Sequence, residues 1–486
     1  MGTVYKIHPA LGVARVGNHQ TAFFVGPETP GTPGVEIGAD GTESPVTAYK
    51  ADGRIKRQAA RFRVFAYEQD PDGTLHLTGE VGPETHVEWS VDLVNRKAAL
   101  DRKVEPAGHR NPLVTDRDSL IIRGATTAAV SGSGAGPTEV SGSFLGANVY
   151  LGEIRTDSAG RLIVLGGRGT SASVPPGLPM TNFVNNDGWH DDVADGPVRA
   201  TVTRPGESPV AVHQPAWVLV APPDFAPSVD STVSLYDIAR QRAVERGTLR
   251  PATSPSFTHD IRPLIERTMG LRWVDDWNQW VHLAGVDWMT LADPSPAAQP
   301  ARATVAADVK NPQLTFFELP EFLERYVDQW AAGDFVSDLG APTPAESLPD
   351  QLDRASLERC TGNNFYPGIE GGQTLKDLKM YDDPPRLDHG HLTAVYPGCL
   401  TEVMAVPWQA DFYDCRGGSW WPTQRPDHVM LDPNDVPGSA ANWANPVNGY
   451  QSMVDHVHQL GFVVPQDVGG QTVLVESERD PQFPRP

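Results

Sequence analysis

The sequence predicts an α+β protein, with a β-rich N-terminal part of sandwich-like sheets followed by a mixed, helix- and loop-rich C-terminal part. Three observations predict it. Short runs rich in Val, Ile and Leu, separated by turn residues, fill the chain up to about residue 225. Near Ser228 the apolar period changes from strand-like to helix-like. The 46 Gly and 45 Pro are spread over all 486 residues without a period, which reads as many turns and ordered loops. The division is placed at 1–227 and 228–486.

The elements follow in order. "RFRVFAYEQD" and "TLHLTGEV" flank a "PDG" turn and predict a hairpin. "SLIIRG", "ANVYLGEIRTDSAGRLIVLGG", "VRATVT" and "AWVLVAPP" predict further strands, and "SGSGAGPTEVSGS" (131–143) predicts a loop. "SVDSTVSLYDIARQRAVERG" has Asp/Ser/Thr at its start and Gly at its end, the marks of a capped helix. "SFTHDIRPLIERTMGL" and "LPEFLERYVDQWAAGDF" read as helices. "PAESLPDQLDRASLERC" reads as a helix broken by Pro349. "PSPAAQPARAT" (294–304) reads as a linker or surface loop. "NGYQSMVDHVHQLGFVV" reads as a helix ending at Gly461 with a closing strand after it.

A net charge of −22 argues against nucleic acid, whose phosphates require a Lys/Arg surface. No apolar run reaches membrane-spanning length, and "MGTVYKIHPALGVARVGN" lacks a signal-peptide layout. A cytoplasmic location is expected. Cys360, Cys399 and Cys415 are odd in number and widely spaced, so they form no disulfide framework.

"NNDGWHDD" offers oxygen donors at Asn185, Asp187, Asp191 and Asp192, but its spacing is not that of an EF-hand, and an ordered turn is expected. "DHGH" would set His389 and His391 on one face of a strand; no third ligand is evident, so no metal is expected. "DFYDCRGGSWWP" (411–422) places Cys415 five and six residues before Trp420 and Trp421. Gly417 and Gly418 between them permit a tight return. The sulfur and a tryptophan could therefore react, or both could simply be core.

Five stretches carry a resemblance: "IHPALGVARVGN" (7–18), "FVNNDGWHDDVADGPV" (183–198), "FYPGIEGG" (365–372), "AVPWQADFYDC" (405–415) and "WWPTQRPDHV" (420–429). Together and in this order they resemble the lysine ε-oxidase/glycine oxidase family, whose members carry cysteine tryptophylquinone. The resemblance runs over almost the whole chain and does not specify the substrate. It implies a quinone-dependent oxidase that deaminates the primary amine of an amino acid. With O2 as acceptor, the products are aldehyde or keto acid, ammonia and H2O2. It also implies a flavoprotein maturation partner, and a homo-oligomer is expected. Two other readings stay open: a tailoring enzyme for a natural-product amine, and a non-catalytic relative with Cys and Trp unmodified.

Carried onto this sequence, the resemblance makes Cys415 the crosslinking sulfur. Trp421 is the favoured partner, Trp420 the second and Trp443 a further candidate. Asp411 assists cofactor formation and catalysis as a base. If its segment is helical, it shares a face with Cys415; as a lone carboxylate it is expected at the surface. Cys360, Trp408 and Gln409 are placed on the substrate side. Arg425 would pair with a carboxylate, either structural or that of an amino-acid substrate.

Overall fold

The computed structural model describes residues 2–38, 40–103, 108–275, 283, 285–311, 318–362, 366–414, 423–434 and 440–483. Seventeen strands join through hydrogen bonds into one network, all of it before residue 222. The strands that matter for the site are β1 (Gly2–His8), β2 (Leu11–Arg15), β3 (Arg57–Gln69), β4 (Leu75–Glu80), β5 (His86–Val91), β6 (Thr138–Phe144), β7 (Ala147–Thr156), β8 (Leu162–Gly166), β9 (Asp195–Thr203) and β10 (Ala216–Ala221).

The 13-residue β3 serves two sheets. Its first half pairs with β8, which continues through β7 to β6, all antiparallel. Its second half pairs antiparallel with β1, from His8↔Arg63 to Gly2↔Gln69, and with β4. The hairpin expected at "PDG" is the β3–β4 connection. β2 runs parallel to β10, and β10 is antiparallel to β9, which pairs with β5. All residues of β2 and β10 are buried, the pattern of a strand pair covered on both faces. Leu11, Val13, Trp217 and Leu219 pack with Leu235, Ala239, Leu357 and Cys360, so the second half of the chain covers one of those faces.

Helix α1 (Leu235–Arg246) begins at a Ser234–Asp237 capping box and ends at Gly247 with φ 78°, a left-handed stop that suits glycine. α2 (Arg262–Gly270) follows one π-turn at Phe257–Ile261. α3 (Gln299–Val309) overturns part of the linker expectation: Pro300 sits at the first turn, where its missing N–H is harmless. α4 (Glu321–Ala332) buries Phe322, Leu323, Tyr326, Val327 and Trp330 on one stripe. α5 (Leu348–Glu358) corrects the reading of Pro349. That proline opens the helix at N1/N2 behind a Ser347 cap and does not break it. α6 (Trp408–Asp414) and α7 (Tyr450–His456) follow, single turns of helix lie at Trp288–Leu291 and Gly372–Leu375, and the hairpin Phe462–Val468/Gln471–Ser477 comes last. The expected Gly/Ser loop is shorter than predicted, because β6 begins at Thr138. "DHGH" lies in a turn and not on a strand. No helix among the described residues is long and apolar enough to cross a membrane.

Two of the resemblance stretches meet at a buried ion pair. Arg15, at the end of β2, pairs with Glu370, whose other oxygen accepts the Thr361 N–H at 2.5 Å. Both side chains are essentially inaccessible. Removing one partner of such a pair leaves an uncompensated buried charge, which costs about 3–5 kcal/mol. Arg15→Met is therefore expected to lower unfolding stability by that order in urea titrations. Arg15→Met/Glu370→Leu should lose much less; equal losses would show that the charge is not what matters there.

Candidate active site

The site is built around α6 and the strand-free segment that leads into it. Residues 400–408 lie across the N-terminal half, and buried side chains from that half take their backbone groups. Asp195, in β9, accepts Thr401 N (2.8 Å), Thr401 Oγ1 (2.7 Å) and Leu400 N (3.2 Å), and on the same carboxylate Trp217 Nε1 (2.9 Å). Arg110 donates to the carbonyls of Glu402 and Met404, each at 2.8 Å. Lys97 Nζ donates to Ala405 O (2.9 Å) and Asp191 Oδ2 (2.7 Å). Asp191 Oδ2 also accepts the Trp408 N–H at 3.0 Å, the first residue of α6.

The oxygen donors of "NNDGWHDD" therefore serve separate partners. Asp191 meets Lys97 and Trp408. Asp187 accepts Asn111 N at 2.6 Å, and Asp192 accepts Thr170 N at 2.9 Å. Gly167 is what lets its loop approach Asp192: a Cβ there would lie 2.3 Å from the carboxylate carbon. Burial, with the Asp191 charge adding to it, pushes the Asp192 carboxyl up to about 7, against the Thr170 N–H.

Within α6, Asp411 is 1% exposed, which corrects the expectation of a surface carboxylate. The helix carries Asp411 and ends at Asp414; the shared face with Cys415, conditional on a helical segment, falls on a residue outside the described ones. Trp408 packs edge-on against Phe412 at 4.8 Å. Gln409 accepts Ser171 Oγ at 2.7 Å, so it faces the 167–171 loop of the N-terminal half. Phe225 continues the aromatic wall from Phe412 to Trp443, with ring centres 6.4 and 4.8 Å away. Trp443 is fully buried and donates its indole N–H to Gly461 O at 2.9 Å.

Arg425 joins the helix to that ring. Its Nε donates to Phe412 O and its Nη1 to Pro426 O, both at 2.7 Å, and its guanidinium carbon lies 5.4 Å from the Trp443 ring centre. Asp427 is 3.4 Å from Nη1. Asp427, Asp275 and His428 form a three-residue cluster with donor atoms within 4.8 Å, already ion-paired through Arg425 and through His428 to Asp427 at 3.1 Å.

Cys360 is buried beside the Arg15–Glu370 pair, its sulfur 3.7 Å from Arg15 Nη2. Burial and the Glu370 charge push its thiol well up, so it stays protonated. It is linked to the site through the neighbouring Arg359 carbonyl, which accepts Gln424 Nε2 at 2.9 Å. Cys399 is a buried free thiol pushed up by burial. Cys415, Trp420 and Trp421 lie outside the described residues.

The structure thus brings Asp411, Trp408, Gln409, Arg425 and Trp443 around one helix, with Cys360 one loop away. Sequence reasoning missed Lys97, Arg110, Asp195 and Phe225. Lys97 and Arg110 sit in "VNRKAALDRK" and "AGHRNP", where a cation reads as a solvated charge; no periodic signal marks them as buried.

Known proteins give a consistent picture. The L-lysine ε-oxidase N-terminal model matches residues 8–220 and the L-lysine ε-oxidase C-terminal domain model matches residues 304–432. L-lysine 6-oxidase of Marinomonas mediterranea is 25% identical, over 98% of this chain and 89% of that protein. The crystal structure of the Schiff base intermediate of L-Lys ε-oxidase from the same organism with L-Lys superposes with a TM-score of 0.81 at 24% identity, covering 99% of this chain and 95% of that one. A second structure of that enzyme gives 0.80 at 24% identity, with 98% and 95% covered.

The raised Asp192 gives a pH prediction. Its folded value of about 7 exceeds its ordinary 3.8. The folded state therefore holds a proton that the unfolded chain releases, and the contribution to stability is full below the unfolded value and lost as pH rises through about 7. Asp192→Asn removes that dependence. Thermal unfolding at several pH values should show the variant gaining on the wild type between pH 4 and 8. A difference that does not change with pH would contradict the assignment.

Proposed function

Because the chain belongs to the L-lysine ε-oxidase family, we propose that it is a quinone-dependent amino-acid oxidase with its centre at α6. The observation that carries this reading is the arrangement of Asp411, Arg425 and Trp443 around a buried helix that leads directly into Cys415. The residues present fit such a cofactor: a buried tryptophan ring, its N–H satisfied by a carbonyl, is tied through Arg425 to α6, whose last residue precedes Cys415 in the sequence. In this reading Cys415 is joined to a tryptophan; Trp421 is the candidate taken from the sequence and Trp443 the one beside α6.

The quinone, when formed, supplies an electron sink for a substrate bearing a primary amine. The chain's own groups do the rest. Asp411, desolvated within α6, takes the proton from the carbon that carries nitrogen. It also serves as the base that deprotonates Cys415 during crosslinking. That base is needed because neighbouring carboxylates disfavour the thiolate. Trp408 and Phe412 form an apolar wall, and Gln409 a polar handle, on the helix. Arg425 fixes the far end of α6 against Trp443; it is also the candidate for a substrate carboxylate. Cys360, protonated, lies on the substrate side. Water releases the aldehyde or keto acid with ammonia, and O2 accepts the two electrons to give H2O2. A flavoprotein maturation partner, a homo-oligomeric state and a cytoplasmic location belong to the same proposal.

A peroxide-release screen over free amino acids and simple primary amines tests it on three proteins. The wild type, expressed with its maturation partner, should release peroxide with at least one free amino acid. Asp411→Asn should lower turnover by a hundred-fold or more, on the order of a general-base contribution. Arg425→Lys should lose quinone content if Arg425 acts as a brace. It should lose amino-acid use about ten- to a hundred-fold, with amines spared, if Arg425 binds the carboxylate. No peroxide from any primary amine, with a colourless wild type, would leave the non-catalytic reading.

A further inference from the structure

We infer that Lys97 and Asp191 are positioning residues for the reaction: a buried ion pair of the N-terminal half that sets where α6 begins and so where Asp411 stands. This rests on the role given to Asp411 above.

The geometry is specific. Both side chains are fully buried, at 0% exposure each. One carboxylate oxygen, Asp191 Oδ2, receives both Lys97 Nζ at 2.7 Å and Trp408 N at 3.0 Å. Lys97 Nζ also donates to Ala405 O at 2.9 Å. The pair therefore clamps both ends of the Val406–Pro407 dipeptide, an incoming carbonyl on one side and the first helical N–H on the other. The opposite carboxylate oxygen is held by Asn95 Nδ2 at 3.0 Å, so the carboxylate cannot rotate freely.

The physics fits a positioning role better than a stabilising one. A helix start leaves N–H groups without intrahelical partners, and a carboxylate there satisfies one and suits the helix dipole. A buried ion pair, by contrast, contributes little net stability compared with apolar residues of the same volume. What apolar residues could not supply is a fixed acceptor for Trp408 and a fixed donor for Ala405. Asp411 follows Trp408 by three residues, on the same side of a short helix. A shift of about 1 Å in a reacting group can lower turnover a hundred-fold.

The difference between positioning and stability defines the test. Lys97→Met/Asp191→Leu removes the pair without leaving an unpaired charge. Three readouts are compared with the wild type: the urea unfolding midpoint, hydrogen exchange of residues 404–414 against the β6–β7 hairpin, and quinone per chain from visible absorption. The double variant should keep a higher midpoint than Lys97→Met alone, which leaves a buried unpaired carboxylate. Its 404–414 amides should exchange at least ten-fold faster, with the hairpin unchanged, and its quinone content should fall at least ten-fold. Lys97→Met/Asp191→Asn, which retains an oxygen for the Trp408 N–H and leaves no unpaired lysine, should hold the segment more nearly as the wild type does.

Wild-type exchange and quinone content in Lys97→Met/Asp191→Leu would overturn the inference. So would faster exchange spread evenly over the whole chain, or a Lys97→Met/Asp191→Asn variant as loose as Lys97→Met/Asp191→Leu. If the wild type itself carries no quinone, the proposed function fails, and the exchange comparison alone decides whether the pair positions α6.

Discussion

The docking of residues 400–408 on the N-terminal half, through buried polar side chains, is the constraint on which the site depends. Apart from one parallel bridge, in which the Val406 N–H donates to Val184 O, that segment has no strand partner, so its other backbone groups need acceptors and donors from side chains once water is excluded. Asp195, Arg110, Lys97 and Asp191 supply them. Burying so many polar groups is tolerable only because they are paired, and each pair fixes a particular atom of the segment. The cost appears in the raised proton affinity of Asp195. In return, a helix of only seven residues starts from a fixed point.

The other side of α6 is held by aromatic packing and one cation. Phe412, Phe225 and Trp443 form a continuous wall, and Arg425 spans from the Phe412 carbonyl to the Trp443 ring. The N-terminal half therefore fixes the start of the helix, and Arg425 and Trp443 of the C-terminal half, with Phe225, fix its end. This division explains why the resemblance stretches are scattered along the chain. Arg15 meets Glu370 across the halves, and the 183–198 stretch meets the 405–415 stretch at the Asp191–Trp408 contact.

Much of the fold was legible in the sequence where the signals are local. The β3–β4 hairpin follows from "PDG", and α1 from Ser234 and Gly247. Pro349 and the 294–304 stretch were misread because proline breaks a helix only away from its first turn; at Pro300 and Pro349 it begins one. The site was legible in part. The helical spacing around Asp411 was there to read, but the helix is set in the interior by residues far away in sequence, Asp191 at Trp408 and Ser171 at Gln409. The same holds for Lys97 and Arg110, whose charge is ordinarily a surface mark. A sequence pattern has no way to show that a lysine's partners are a carbonyl and a carboxylate brought in by the fold.

Peptide mapping of the purified protein by mass spectrometry, after expression with its maturation partner, tests the central claim most directly. The expected result is one crosslinked species in which Cys415 is bound to a tryptophan carrying two added oxygens, with the partner tryptophan identified by fragmentation. The contradicting result is a Cys415 that alkylates freely beside unmodified Trp420, Trp421 and Trp443.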